Sequence, residues 1–120
     1  MVTCTATLNT LATAYVGAGT WIGLSTATAG SNCGTGLTPS NEATGGSYAR
    51  IQTTWGTVGA VTAGVSAGSA CTINVAAATY NYMLVASSSS GNNMSDNVSI
   101  TPVTLGSSGQ IVCTPTYTQT

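Results

Sequence analysis

The chain has 120 residues, of which only three, Glu42, Arg50 and Asp96, carry a formal charge, and it has no lysine and no histidine. An average domain is about 25% charged, whereas this chain is 2% charged. A single cation excludes nucleic-acid binding, which needs clustered Lys and Arg, and the lack of His excludes Ser-His-Asp and Cys-His nucleophiles. The composition favours a subunit packed against other protein in many copies over an enzyme.

One domain is expected for a chain of this length. No apolar stretch reaches about 18 residues, so the sequence predicts no membrane span. The N-terminus lacks the basic and apolar regions of a secretory signal. Either the chain is made and assembled in a cytoplasm or a signal has been removed, and Met1 favours the first alternative.

Residues 1–19 are predicted to form an N-terminal arm or a short helix. Thr5 or Thr7 is available as the N-cap, and Gly17 and Gly19 are expected to end the helix. The large apolar residues of this segment recur at i, i+3 and i+7, which is a weak helical period: Leu8, Leu11 and Tyr15.

Residues 20–120 are predicted to form a single all-β domain of about seven short strands. Turn signals every 8–12 residues indicate an antiparallel β-sandwich or a jelly-roll-like barrel. Residues 28–47, rich in Gly, Ser, Asn and Thr, are expected to be a long loop. The predicted strands are TWIGLSTA (20–27), YARIQTTWGTV (48–58), GAVTAGV (59–65), SACTINVA (69–76), TYNYMLVASS (79–88), NMSDNVSITPVTL (93–105, interrupted at Pro102) and GQIVCTPTYT (109–118).

Glu42 and Arg50 are eight residues apart and flank Gly45-Gly46, so the chain can fold back and pair them as a structural ion pair. The alternative is two solvated side chains, and an exposed pair would contribute only about 0–1 kcal/mol. If Arg50 lies on the buried side of its strand, it must be paired, because an unpaired buried charge is costly.

Four cysteines are spread along the chain with no CxxC motif. Zinc ligands usually come in close pairs, so no metal site is predicted. The cysteines are either buried free thiols, since Cys packs as a small hydrophobe, or they form disulfides after the protein leaves a reducing cell. Sequence spacing does not determine the pairing of the four residues: Cys4, Cys33, Cys71 and Cys113.

No catalytic residue and no cofactor is predicted. Glu42 and Asp96 are the only acidic side chains, and the sequence assigns them to separate loops, so a paired-carboxylate mechanism is not expected. The amide-rich segment around Asp96 is interpreted as a solvated turn rather than a Ca²⁺ site, which would need several acidic ligands.

The segment NEATGGSYARIQTTWG, residues 41–56, resembles a group of small virion structural proteins of tailed bacteriophages. Its dense match is an acidic residue followed by Gly-Gly-x-Tyr-Ala-Arg. TWIGLSTATAG upstream, and YNYMLVASSSSGNNM and ITPVTLGSSGQIVCTPTYTQT downstream, resemble the other segments of the same group in the same order. The resemblance covers nearly the whole chain and implies a virion structural protein, without implying a ligand or a catalytic residue.

The leading hypothesis is a capsid decoration, or cement, protein that is made in the host cytoplasm and binds the outer capsid surface in many copies. The expected partners are the major capsid protein or tail proteins, and copies of the chain itself, in a trimer by analogy with decoration and fibre subunits. Residues 1–19 and 28–47 are the predicted contact segments. The first alternative is a tail fibre, tail-tip or tail-decorating subunit. The second is a host- or glycan-binding module that uses Trp and Tyr as stacking surfaces.

Overall fold

The computed structural model describes residues 4–27, 41–91 and 93–120. These residues form one α-helix and eight β-strands, and every strand pair among them is antiparallel. The elements are α1 (Thr5–Ala18), β1 (Trp21–Ser25), β2 (Ile51–Gln52), β3 (Val65–Ala67), β4 (Cys71–Val75), β5 (Thr79–Ala86), β6 (Met94–Thr104), β7 (Gly109–Cys113) and β8 (Thr116–Thr118).

The strands form one four-stranded sheet, in the order β2-β1-β5-β6, and two two-stranded sheets, β3-β8 and β4-β7. In the larger sheet, β1 is central and pairs with β5 from Trp21 opposite Ala86 to Ser25 opposite Tyr82. The prediction of a mostly antiparallel β protein with a short helix is confirmed.

The hydrophobic core contains residues from the four-stranded sheet and from β4-β7. The period of two predicted for β4 is confirmed, because Thr72 and Asn74 are exposed while the residues between them are buried. Buried β-branched and aliphatic side chains at every second position of a strand are typical of a sheet with one apolar face. The core residues of these strands are Ile22, Leu24, Cys71, Ile73, Val75, Tyr80, Val85, Ile111 and Cys113.

Strand β1 is buried on both faces, since its residues from Ile22 to Ser25 are all inaccessible. Ile22 and Leu24 belong to the core. Gly23 lies between them on the opposite face, where a Cβ atom would contact the side chains of Tyr48, Arg50 and Glu42. The segment 42–50 therefore covers the second face of the sheet, and the missing side chain of Gly23 leaves room for it.

Helix α1 begins at a different cap from the predicted one, and it continues through Gly17 to end before Gly19. Its N-cap is Cys4, with no side-chain hydrogen bond, and its C-cap is Gly19. The prediction of Thr5 or Thr7 as N-cap is therefore wrong, and of the two glycines predicted to end the helix, Gly19 does so whereas Gly17 lies inside it. The cost of Gly inside a helix is only about 0.5–1 kcal/mol, so tertiary contacts decide where α1 ends.

The apolar period predicted for α1 only partly describes its buried face. Leu11 is 46% exposed, whereas Ala12 is fully buried. The helix packs against β3 and β8, and the carbonyl oxygen of the Asn9 side chain accepts a hydrogen bond from the Gly64 backbone N–H at 2.8 Å. With 14 residues, α1 falls short of a bilayer span, and the described residues contain no other helix.

The strand predicted over residues 48–58 is shortened to β2, with an isolated bridge from Trp55 to Gly68. The strand predicted over 59–65 is wrong. Gly59 and Gly64 have φ angles of 75° and 74°, and such left-handed conformations bend the chain instead of extending it. The strand predicted over 109–118 is two strands, β7 and β8, which pair with different partners on either side of Pro115.

Strand β6 continues through Pro102, so the predicted interruption there is wrong. The register of β5 with β6 shifts instead, from Tyr80 opposite Val103 to Tyr82 opposite Ser99. Proline lacks a backbone N–H and is tolerated at such irregularities of the ladder. The backbone thus accommodates Pro102 by a change in pairing.

Candidate functional site

Glu42 and Arg50 form the ion pair suggested by their spacing. The Arg50 Nε atom is 2.7 Å from Glu42 Oε1, and Nη2 is 2.9 Å from Glu42 Oε2. Two parallel bonds between a guanidinium and a carboxylate are the strong, geometrically specific form of this contact. The Arg50 side chain is only 2% exposed and that of Glu42 is 17% exposed, so the alternative of two solvated side chains is wrong.

The remaining N–H groups of Arg50 bind the connection between β5 and β6. Nη1 donates to the Ser88 carbonyl at 3.1 Å and to the side-chain oxygen of Asn93 at 3.0 Å, and Nη2 donates to the Gly91 carbonyl at 3.0 Å. A guanidinium has five N–H donors, and each of them has an acceptor here. We call Glu42, Tyr48, Arg50, Asn93 and these two carbonyls the Arg50 cluster.

Asn93 is held in place by the turn that it helps to close. Its side-chain amide donates to the Ser88 hydroxyl and to the Ser90 carbonyl, and its backbone carbonyl accepts from the Ser87 N–H at 3.0 Å. The side-chain oxygen is thereby directed at Arg50. The turn after β5 is consequently tied to the segment that carries Glu42.

A turn of three left-handed residues brings Glu42 back towards Arg50. Gly45, Gly46 and Ser47 have φ angles of 77°, 62° and 62°, and glycine adopts this conformation without steric cost. The turn delivers Tyr48, whose hydroxyl donates to Glu42 Oε1 at 2.8 Å and accepts from the Leu24 N–H at 3.2 Å. The cluster is therefore anchored to strand β1.

Burial and charge act together on the ionisable groups of the cluster. The hydrogen bond to Glu42 raises the pKa of Arg50 above its ordinary value, and this effect outweighs burial, which acts to lower that pKa. Burial, followed by the adjacent Glu42 carboxylate, holds the pKa of Tyr48 well above its ordinary value. At neutral pH the cluster therefore contains a charged guanidinium and a neutral phenol.

The Arg50 cluster is suited to holding separate segments of the chain together. Glu42 accepts two bonds from Arg50 and one from Tyr48. A carboxylate has about four lone-pair sites, so the cluster itself takes up most of the accepting capacity of Glu42. Among the described residues there is also no group of three or more His, Cys, Asp or Glu that could hold a metal ion.

Asp96 lies in β6, so its predicted place in a loop is wrong. Its Oδ2 accepts from the Tyr15 hydroxyl at 2.6 Å, and its Oδ1 accepts from the Asn97 backbone N–H at 2.7 Å. The Tyr15 ring also stacks on Tyr117, with ring centroids 3.7 Å apart. Asp96 thus attaches α1 to the sheet, and its side-chain partners are different from those of the Arg50 cluster.

The predicted cysteines occupy different environments. Cys4 is exposed at the start of α1, Cys71 and Cys113 are buried in β4 and β7, and all three are free thiols. Burial raises the pKa of both the Cys71 and the Cys113 thiols. Cys33 and most of the predicted 28–47 loop lie outside the described residues.

The spacing of Glu42 and Arg50 predicts the charged pair, whereas the neutral members of the cluster were not predicted. Tyr48 was detectable, because it is two residues before Arg50 and shares its side of an extended segment. Asn93 and the carbonyls of Ser88 and Gly91 carry no such signal, because they are 38 to 43 residues from Arg50 in the chain. Their approach depends on the pairing of β1 with β5.

The chain matches no protein-family model, and no curated protein or solved structure matches it either.

Proposed function

We propose that this protein is a structural subunit of a bacteriophage particle, present in many copies as a capsid decoration protein. One observation carries this proposal. All three formal charges of the chain are engaged in internal contacts, so the outer surface of the described residues presents hydroxyls, amides and small apolar groups. The proposal adds that the protein catalyses no reaction.

The internal placement of the charges can be stated residue by residue. Arg50 is 4% exposed and has an acceptor for every N–H group. Glu42 is shared between Arg50 and Tyr48. Asp96 accepts from Tyr15 and from a backbone N–H. None of these groups is available as an isolated surface charge.

A neutral surface suits a subunit that is repeated many times on one particle. Two unit charges at 4 Å repel by roughly 1 kcal/mol in water and by more near a protein surface, and a closed lattice repeats each such contact in every copy. Hydroxyls and amides form hydrogen bonds with neighbours without this repulsion. An isolated domain usually has the opposite design, with a net charge well away from zero.

We further propose that the strands form a two-layer β-sandwich. The four-stranded sheet contributes Ile22, Leu24 and Val85 to one core cluster, and β4-β7 contributes Ile73 and Ile111 to the same cluster. Two sheets that share an apolar core are the basis of this architecture. Its loops and outer faces would then be the surfaces that contact the capsid and neighbouring copies.

The alternatives differ in how much the described surface favours them. A tail fibre, tail-tip or tail-decorating subunit would have the same neutral exterior, so only its location separates it from a capsid protein. A glycan-binding module would need exposed aromatic faces. The large hydrophobic side chains exposed in the described residues are instead aliphatic: Leu11, Val61, Val98 and Val112.

Cryo-electron microscopy of intact particles, combined with mass spectrometry of their proteins, tests the proposal. We expect the chain in purified particles, with its density repeated over the icosahedral shell. Density confined to the tail would replace the decoration role by the tail role. Absence of the chain from purified particles would contradict a virion function altogether.

A pair of surface variants tests whether α1 contacts the shell. Leu11 is exposed on α1, and Val61 is 98% exposed in a turn. Leu11→Gln is expected to weaken binding to capsids, and Val61→Gln serves as the matched control. Equal binding by both variants would show that α1 does not form the contact.

A further inference from the structure

Cys71 and Cys113 are direct partners in an antiparallel strand pair. Cys71 begins β4, Cys113 ends β7, and the register places them opposite each other at the last position of the ladder. Both side chains lie on the inner face, at 0% and 9% exposure. They share this face with Ile73 and Ile111, so both thiols lie on the same side of the sheet.

The backbone separation at this position fits a disulfide. Residues directly opposite each other in an antiparallel pair have Cα atoms about 4.5–5.5 Å apart, and disulfides join Cα atoms about 4.4–6.8 Å apart. The two ranges overlap, so the register of β4 and β7 places the two cysteines at a backbone separation that a disulfide can span. Cys4, by contrast, is exposed before α1 and lies in no strand.

We propose that Cys71 and Cys113 form an intramolecular disulfide that links β4 to β7 once the protein meets an oxidant. The proposal assigns a pairing that the sequence leaves open, and it is independent of the proposed function. It closes a loop of about 40 residues, which removes conformational freedom from the unfolded chain.

The oxidation balances with a small-molecule disulfide such as oxidised glutathione as oxidant. One cysteine thiolate attacks that disulfide, forms a mixed disulfide and releases one glutathione thiolate. The second cysteine thiolate attacks the protein sulfur of the mixed disulfide, so the Cys71–Cys113 bond forms and the second glutathione leaves. Two protein thiols are oxidised, one glutathione disulfide is reduced, and the two thiol protons pass to the glutathione thiolates.

The position of the pair predicts when the reaction occurs. In the folded protein both sulfurs are buried and the raised pKa of each thiol keeps it protonated, so attack on an oxidant is slow. The pair is at the end of the ladder, next to exposed Ser69 and Ala70. Oxidation is therefore expected during folding or local opening of this end.

Trypsin gives a direct readout of the pairing, because Arg50 is the only Lys or Arg of the chain. Cleavage of the denatured protein produces residues 1–50, with Cys4 and Cys33, and residues 51–120, with Cys71 and Cys113. The full chain is refolded with oxidised and reduced glutathione, and its remaining free thiols are then alkylated. The protein is cleaved without reduction, and the masses of the fragments are measured by mass spectrometry.

We expect a separate 51–120 fragment that is unalkylated and two hydrogens lighter than its reduced form. Fragments 1–50 and 51–120 joined until reductant is added would overturn the proposal, since a cysteine of one half would then be paired with the other half. A 51–120 fragment that carries two alkyl groups after refolding in oxidant would overturn it as well.

Variants and stability provide the second measurement. Cys71→Ala and Cys113→Ala are each expected to leave one alkylated thiol in the 51–120 fragment, whereas Cys4→Ala leaves the cross-link intact. Oxidation should favour folding by a factor on the order of 10³, which corresponds to a rise in Tm on the order of 10 °C. The rise should vanish on addition of reductant and be absent from the Cys113→Ala variant. An equal rise in that variant would contradict the pairing.

Discussion

At the scale of single residues, Arg50 is buried because each of its five N–H groups has an oxygen acceptor. A buried ion pair is weak evidence for net stability, since the cost of desolvation opposes the Coulomb attraction. The acceptors come from two separate segments, one that contains Glu42 and one that contains Ser88, Gly91 and Asn93. The cluster therefore fixes how these segments are arranged.

Replacing Arg50 with Met keeps the aliphatic part of the side chain and removes the guanidinium. We expect this substitution to lower the free energy of unfolding by about 3 kcal/mol, because Glu42, whose side chain is only 17% exposed, is left without its counter-ion. Arg50→Lys should lose most of the same stability, because an ammonium group cannot form two parallel bonds with a carboxylate. Urea denaturation followed by tryptophan fluorescence measures both changes.

Two controls separate the ion pair from a general effect of mutation. Gln52→Ala alters an exposed residue of the same segment and should change stability by no more than about 0.5 kcal/mol. Glu42→Leu combined with Arg50→Met should recover part of the loss, because no unpaired charge remains. Strictly additive effects of the two substitutions would contradict the pairing.

The Tyr48 hydroxyl makes stability depend on alkaline pH. Its pKa is raised in the folded protein by burial and by Glu42, whereas in the unfolded chain it ionises near pH 10. Above pH 10 the unfolded chain therefore binds fewer protons than the folded one, and stability falls as pH rises. The stability that the neutral Tyr48 hydroxyl contributes is fully present below pH 10, and it is lost as the pH rises towards the pKa of Tyr48 in the folded protein.

A comparison with Tyr48→Phe isolates this contribution. The stability difference between wild type and variant should be constant between pH 7 and 9, and should shrink above pH 10 by up to about 1.4 kcal/mol per pH unit. Tyr80, Cys71 and Cys113, whose pKa values burial also raises, are present in both proteins, so their effects cancel. A difference independent of pH up to 11 would show that Tyr48 does not titrate in this way.

At the scale of elements, the turn over residues 45–47 packs the segment that carries the Arg50 cluster against the end of β4, in the β4-β7 pair. A Cβ atom at Gly46 would be 2.5–2.8 Å from backbone atoms of Val75 and Ala76. A Cβ atom at Gly45 would meet only the Ala76 Cβ, at an ordinary 3.7 Å. Both glycines are left-handed, but only Gly46 also needs the missing side chain for close approach.

Gly46→Ala and Gly45→Ala are therefore a matched pair. Each substitution should cost about 1–2 kcal/mol for the left-handed backbone, and Gly46→Ala should cost more because backbone atoms of β4 must move. We expect the difference between the two variants to exceed about 1 kcal/mol in chemical denaturation. Equal costs would mean that the turn does not pack closely on β4.

Elements whose pattern comes from burial could be predicted from the sequence. The alternation in β4 and the apolar run of β5 each indicated a strand, and the spacing of Glu42 and Arg50 around two glycines indicated an ion pair. Features that depend on contacts between residues far apart in the chain could not be predicted. Strand β6 passes Pro102 because the register with β5 shifts there, and α1 starts at Cys4 without a capping side chain. Asn93 enters the cluster only through the packing of the sheet.

At the scale of the whole molecule, the exterior has almost no electrostatic repulsion. The formal net charge is −1, and each of the three charged side chains is engaged in internal contacts. Salt screens repulsion between exposed charges over a Debye length of about 10 Å at 0.1 M. A molecule without such charges has little repulsion for salt to screen.

The interaction between wild-type molecules should therefore depend weakly on ionic strength, and added lysines should change that. We expect the osmotic second virial coefficient, measured by static light scattering, to vary little between about 20 mM and 300 mM salt. A variant with lysine at four exposed threonines, Thr57, Thr72, Thr101 and Thr116, has a formal net charge of −1 + 4 = +3. It should show stronger repulsion at low salt and approach the wild-type value at high salt.

Glutamine at the same four positions is the neutral control and should behave as the wild type does. A strong salt dependence of the wild type itself would mean that its charges act at the surface, which would remove the main support for a many-copy assembly subunit.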